Sequence, residues 1–430
     1  MVNLSLTRSL IVPLDYSSIQ EAFENCIEND TILVTPGTYY ENLIWPNINH
    51  ITLIGESQEN TIINGNNHAS VIFISNQNNN YIDFNTKIEN LTLINGSSNN
   101  EFPYDRGGGI FIMNSSPNIK NIKILNSFAN YGGGISLINS NSLLTNIIID
   151  NNHSLNSGGG VYLDDSNPTL INCIISNNNC TNYGGGLYSI NNSNPEIFNS
   201  IILNNNAESG GGISTFNSSS PIIKNSEIYN NQADRGGGLS FFYNSTALID
   251  SSIIYNNVAN NLGGGIFCTH SSPFINNSTI KNNQALNGGG ITINSNESPV
   301  FANTIIKENN AIESGGGLYI NNHNASINNV IIESNYSQFG GGIYLKNVDS
   351  EITNITLNSN QSNYGGGLFI SNSDLMLENI KTFNNNAISG AGIFINLYSD
   401  INLLNSEIFN NNASSYGGGI SIEQSSEIQL

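Results

Sequence analysis

Asn277-Ser278-Thr279-Ile280-Lys281-Asn282-Asn283-Gln284-Ala285-Leu286-Asn287-Gly288-Gly289-Gly290-Ile291-Thr292-Ile293 decides the fold, because close variants of this string recur along the chain. The first glycines of the triplets fall at 107, 132, 158, 184, 210, 236, 263, 288, 315, 340, 365, 390 and 417, always 25 to 27 residues apart. The unit at 390 reads Gly390-Ala391-Gly392. A fixed period in this range is the signature of a solenoid, in which each repeat buries its apolar face only by stacking on its neighbours.

Working outward from the triplet, two Asn columns align without gaps. The first contains Asn121, Asn146, Asn172, Ser251, Asn277 and Asn354, and the second, always six residues later, contains Ser127, Asn152, Asn178, Asn257, Asn283 and Asn360. Two residues further on stands a small side chain such as Ala129, Cys180, Ala285 or Ser337. The constant interval means one geometry in every coil, with length variation confined to the turns. Between the Asn columns an Ile-x-Ile alternation marks a strand with one buried face. A second alternating strand follows the glycines, and a third short one precedes the first Asn, often after Ser-Pro. Three strands and three corners per coil predict a three-sided parallel β-helix. Asn suits tight corners because it tolerates left-handed backbone angles, and stacked amides can hydrogen-bond along the axis. Glycine at the entry to a strand permits positive φ.

The first hundred residues lack the triplet but supply earlier strands at 32–34, 51–54, 61–63 and 71–74, with Pro36-Gly37 as a turn. Before them lies the one helix signal, a capping box of Ser17 and Gln20, followed by the apolar stripe Ile19, Ala22, Phe23, Cys26 and Ile27. This helix is expected to cover the end of the solenoid, which otherwise exposes core and strand edges. The organisation expected is one β-helix domain over residues 1–430. Residues 1–30 form a cap with a helix, 31–106 irregular first coils, and 107–430 regular coils. Ser426 to Leu430 match the start of a further coil, so the chain is expected to be part of a longer protein whose anchor lies beyond Leu430.

The chain carries 11 Lys and Arg against 32 Asp and Glu, a formal charge of −21. That leaves no basic patch, which argues against nucleic acid and against anionic surfaces or polyuronates unless Ca2+ bridges them. Cys26, Cys173, Cys180 and Cys268 show no metal-ligand spacing and read as small buried apolar residues. No run of 18 apolar residues predicts a membrane-crossing helix, and the first fifteen residues lack the apolar core of a signal peptide.

Val12-Pro13-Leu14-Asp15-Tyr16-Ser17-Ser18-Ile19-Gln20-Glu21-Ala22, Asp30-Thr31-Ile32-Leu33-Val34 and Pro36-Gly37-Thr38-Tyr39 resemble the N-terminal cap of pectin-lyase-like proteins. The coils resemble the right-handed β-helix repeats of secreted surface proteins. They are also similar to polymorphic outer-membrane protein repeats, with GGG[ILV] in place of GGA[ILV] and IxxN in place of FxxN. The resemblance implies an all-β, right-handed parallel β-helix at the cell surface or outside the cell. It says little of function, because that scaffold carries lyases, hydrolases, esterases, epimerases and adhesins.

Enzymes of that fold work on the outer face of one parallel sheet, so the strands after the glycines are the place to look. Their first outward column includes Tyr162, Tyr188, Phe267, Tyr319, Tyr344, Phe369 and Phe394. These rings could stack on sugars or on a protein partner; equally, they could stack on one another and stiffen the sheet. The only acid on this face beyond the last coil is Asp164, with Asp165 beside it, a weak candidate for Ca2+ and otherwise a solvated turn. Paired carboxylates on adjacent coils, which glycoside hydrolysis needs, are not visible on this face, and His50, His68, His153, His270 and His323 occupy unrelated columns. Asp105-Arg106 and Asp234-Arg235 read as local ion pairs. The expectation is therefore a non-catalytic adhesin-like protein or binding stalk, its partner a polysaccharide or a cell-surface protein, with no cofactor unless Ca2+. A polysaccharide lyase or glycoside hydrolase is the alternative, and a trimeric spike a third reading.

Overall fold

A computed structural model describes residues 8–75, 81–98, 100–294, 297–322, 324–424 and 426–429. Its contacts divide the chain into two compact units, Met1–Ala207 and Glu208–Leu430. Each is a parallel β-solenoid.

In the first unit the helix Ile19–Asn25 packs against the strands Ser9–Val12, Thr31–Val34 and Leu43–Ile44. Its cap differs from the sequence expectation by one residue. Ser18 is the N-cap and accepts from the Glu21 N–H at 3.1 Å, while Ser17 donates through both its N–H and its hydroxyl to the Glu21 carboxylate. Gln20 instead faces the neighbouring strand. Its amide oxygen accepts from the Ile44 N–H at 2.9 Å and its amide nitrogen donates to the Ile44 carbonyl at 3.4 Å. Ile19, Ala22, Phe23 and Cys26 are buried as expected, but Ile27 is exposed because the helix ends at Asn25. The strands that follow the glycines stack in parallel, in-register order as Leu43–Ile44, Ile72–Ser75, Ile110–Met113, Ile135–Ile138, Val161–Asp164 and Leu187–Ile190.

In the second unit the corresponding sheet runs from Ile213–Thr215 through Ile266–Thr269 and Leu318–Asn321 to Ile420–Ile422. Each coil also has a strand on either side of the first Asn column, as in Phe274–Asn276 and Thr279–Lys281. A further short strand stands where the sequence reading placed only a turn, as in Gln284–Asn287. Small residues there let this segment pair with the coils on either side before its register slips.

The two Asn columns do different jobs. Every residue of the first, including the lone Ser251, has φ between 46° and 56° and forms a corner. The second is buried and forms a ladder. From Asn283 to Asn411 the amide oxygen accepts from the backbone and side-chain nitrogens of the preceding coil, as Asn283 does from Asn257 at 2.9 and 3.1 Å. Satisfying the ladder amides in this way is what makes so polar a core tolerable. The four cysteines are free and buried. No helix among the described residues is long and apolar enough to cross a membrane.

Candidate functional site

The expected aromatic column forms in register. In the second unit Tyr319, Tyr344, Phe369 and Phe394 occupy matching positions on four successive strands. Their rings lie 5.1, 5.0 and 5.2 Å apart and within 11° of parallel. The column is outward but not open, and its rings stack on one another, the second of the two arrangements expected for them. Tyr162, Tyr188, Phe267, Phe369 and Phe394 are only 2 to 6% exposed; Tyr319 and Tyr344 are half-buried.

Backbone geometry explains the covering. The first glycine of each triplet has φ near 60–67°, and at Gly340 a Cβ would lie 2.3 Å from the Ile343 carbonyl oxygen. The chain entering the triplet therefore lies flat on the strand it leads into, and the side chain before the triplet covers the column. Tyr131 sits on Tyr162, Tyr183 on Tyr188, Phe339 on Phe369 and Tyr364 on Phe394, at 5.2 to 5.7 Å. The ring faces are spent on one another, and burial pushes Tyr162 and Tyr344 up to about 12.

Asp164 is not a bare solvated acid. It accepts from the Asn191 amide at 2.8 Å and the Tyr162 hydroxyl at 3.4 Å. Asp165 turns away at a corner with φ 49°. On the same face the Arg106 guanidinium lies over the rings of Phe102, Tyr131 and Tyr162 at 5.4, 4.5 and 5.1 Å, and its Nε is 3.4 Å from the Asp105 carboxylate. The second expected pair does not form. Neighbours along a strand face opposite ways, so Arg235 lies 3.5 Å from Glu208 while Asp234 accepts from Asn260 at 2.7 Å.

Of the histidines, His50 sits between Glu28 and Asp83, at 3.0 and 3.3 Å; His323 lies outside the described residues. Among the described residues no three His, Cys, Asp or Glu side chains are grouped as a metal site. The sequence reading passed over one run of acids, away from the triplet strands. Asp349, Asp374, Asp400 and Glu427 stand in register on successive coils, all exposed.

The sequence reading also missed the cleft of the first unit. It is a cavity of about 380 Å³ among the coils that precede the first triplet. Trp45, Phe73 and Tyr104 give it aromatic walls, and Leu43, Ile44 and Ala69 aliphatic ones. Asn42, Asn47, Asn100, Ser70, Ser75 and Ser98 supply its polar groups. Its architecture is set by neighbours outside it. Trp45 packs on Phe23 of the helix at 4.8 Å, Phe73 stacks on Tyr104 at 5.3 Å, and Asn42 ties down the carbonyls of Gly65, Ala69 and Ser70. Ser70 and Ser98 share a hydrogen bond of 2.8 Å. Two polar atoms are sealed from water yet have no partner among the described residues: the Trp45 indole nitrogen and the Ser75 hydroxyl. Such orphaned groups are rare and costly in a buried setting. Of the lining residues, Ile44 and Tyr104 are more than half exposed. The one signal that could have found this site is the single tryptophan of the chain.

The family described as the right-handed beta helix region matches residues 134–310. The fold is a right-handed parallel β-helix. No curated protein sequence matches the chain significantly. Among solved structures, the A-module of mannuronan C-5 epimerase AlgE6 from Azotobacter vinelandii is similar at 13% identity and a TM-score of 0.46, over 83% of this chain and 93% of that one. A GH87 α-1,3-glucanase catalytic unit from Streptomyces thermodiastaticus matches at 11% identity and 0.33, over 92% and 66%. Tailspike protein 3 of bacteriophage CBA120 matches at 10% and 0.40, over 97% and 59%.

Proposed function

We propose that this protein is a non-catalytic carbohydrate-binding solenoid of the cell surface or extracellular space, and that it holds its ligand in the cleft of the first unit. One observation carries the reading: aromatic walls, amides and hydroxyls converge on a small cavity of about 380 Å³. A sugar presents an apolar ring face to aromatics and hydroxyls to amides, so a site of mixed character suits it. The half-buried Tyr319 and Tyr344 are a secondary candidate surface. The test is a glycan array probed with the intact protein, with Tyr104→Ala, and with the pair Tyr319→Ser and Tyr344→Ser. Binding lost only in Tyr104→Ala supports the cleft, and binding lost only in the pair moves the site to the stack.

A specific grouping favours a second reading, a polysaccharide-cleaving enzyme. Arg106, Tyr162 and Asp164 gather on one outer face, and a cation, a hydroxyl and a carboxylate are the kinds of group that general acid–base cleavage uses. Incubation with a panel of polysaccharides, with and without Ca2+, decides it: new chain ends that disappear in Tyr162→Phe would establish an enzyme.

A further inference from the structure

We infer that the cleft of the first unit selects an uncharged sugar and takes only one or two rings of it, so that it reads the end or a short side branch of a neutral glycan. The inference rests on the carbohydrate reading and narrows its ligand.

Charge comes first. None of the described residues lining the cleft carries a formal charge, in a chain whose formal charge is −21. A uronate or sulfated sugar would have to leave water for a cavity with no cation to meet it, inside a repulsive long-range field. The nearest guanidinium cannot serve. Arg106 contributes its backbone carbonyl to Ser70 at 3.3 Å, and its charged end is turned under Tyr131 and Tyr162, beside Asp105. A cationic sugar would be equally unmatched, since no carboxylate lines the cleft. An uncharged ligand leaves no ionic hydration behind on entering, and its hydroxyls match the amide and hydroxyl groups that line the cleft.

Size comes second. At about 380 Å³ the cavity stands near the lower end of the ~300–1,000 Å³ usual for small-molecule sites. It is closed on one side by Ile44, which Gln20 holds at both its N–H and its carbonyl, and on another by the segment carrying Asn100 and Tyr104. A run of polysaccharide backbone needs an open groove crossing many coils; this cavity admits a terminus or a branch.

Titration calorimetry on the full chain provides the test. The probes are N,N′-diacetylchitobiose, cellobiose and maltose as neutral disaccharides, their longer oligomers, and digalacturonate as the acidic one, each at 0.05 and 0.5 M NaCl. At least one neutral disaccharide should bind with an affinity that changes less than twofold with salt or with further chain length, and Tyr104→Ala and Asn100→Ala should each weaken it about tenfold or more. Tyr104 and Asn100 are both exposed, so these variants test the ligand rather than the fold. Salt-sensitive binding of digalacturonate alone, or affinity that climbs with every added ring, would overturn this inference and leave carbohydrate binding intact. No heat with any saccharide would overturn both, and neutral binding indifferent to Tyr104 and Asn100 would remove the cleft as the site.

Discussion

Replacing Asn283 by Ala should open the second unit locally and strongly. Asn283 is fully buried. Its amide donates to the Ile254 carbonyl and the Asn309 amide oxygen, both at 3.0 Å, and accepts from the Asn257 N–H and side-chain amide at 2.9 and 3.1 Å. Alanine removes all four bonds and strands two buried donors on Asn257. Each orphaned donor costs about 1–3 kcal/mol, for a total of about 2–6 kcal/mol. That is a large part of the ~5–15 kcal/mol by which proteins are stable. Because repeats contact only their neighbours, the damage should stay near the altered coil. Amide exchange of the Asn257 coil should therefore quicken by at least about 25-fold, at ~1.4 kcal/mol per decade. Asn260→Ala, which deletes an exposed bond to Asp234, is the control and should shift stability by less than ~0.5 kcal/mol. Exchange within threefold of the parent protein, or equal effects of the two variants, would refute the claim that the ladder holds the core together.

Gly288→Ala should destabilise its own coil strongly, since its φ is 65° and a Cβ there meets the Ile291 carbonyl oxygen at 2.5 Å, whereas the middle position of the triplet already holds Ala391 in one coil. Gly419→Ala, whose nearest contact is the end of a side chain at 3.3 Å, should fold normally by circular dichroism. Burial alone would raise the Asp30 carboxyl, but Arg8 and the Ile27 N–H bring it below the usual range. A folded pKa below the unfolded one stabilises above the unfolded value, about 3.9, and is lost as pH falls through the folded value. Asp30→Asn should thus lower stability at pH 7 and flatten the acid limb of unfolding; an unchanged acid limb contradicts this. Burial pushes Cys26 up to about 11 and Cys173 and Cys180 up to about 12, and raises Cys268 as well. At pH 8 a maleimide should label fewer than one thiol per native chain and all four after denaturation.

The solenoid was legible because its constraints repeat. The αL corners need Asn wherever Asn121 and its equivalents stand, and the buried ladder needs Asn283 and its equivalents, so the same letters return at the same interval. The register of Tyr319, Tyr344, Phe369 and Phe394 followed from that alignment. What covers them did not. The hook that lays Phe339 on Phe369 depends on one glycine dihedral, and alternation along a strand tells which way a side chain points but not what lies above it. The cleft was hidden for a different reason. Trp45, Phe73 and Tyr104 come from coils without the triplet, and residues so far apart in sequence meet only once the coils are stacked.

Carbohydrate binding in the cleft has a built-in reporter, because Trp45 is the sole tryptophan of the chain. Titration of the intact protein with neutral disaccharides, followed by tryptophan emission, is the most direct measurement. A saturable change in emission, with the same midpoint as calorimetry and absent in Tyr104→Ala, is the expected result. Saccharide binding seen by calorimetry that leaves Trp45 emission unchanged would contradict it.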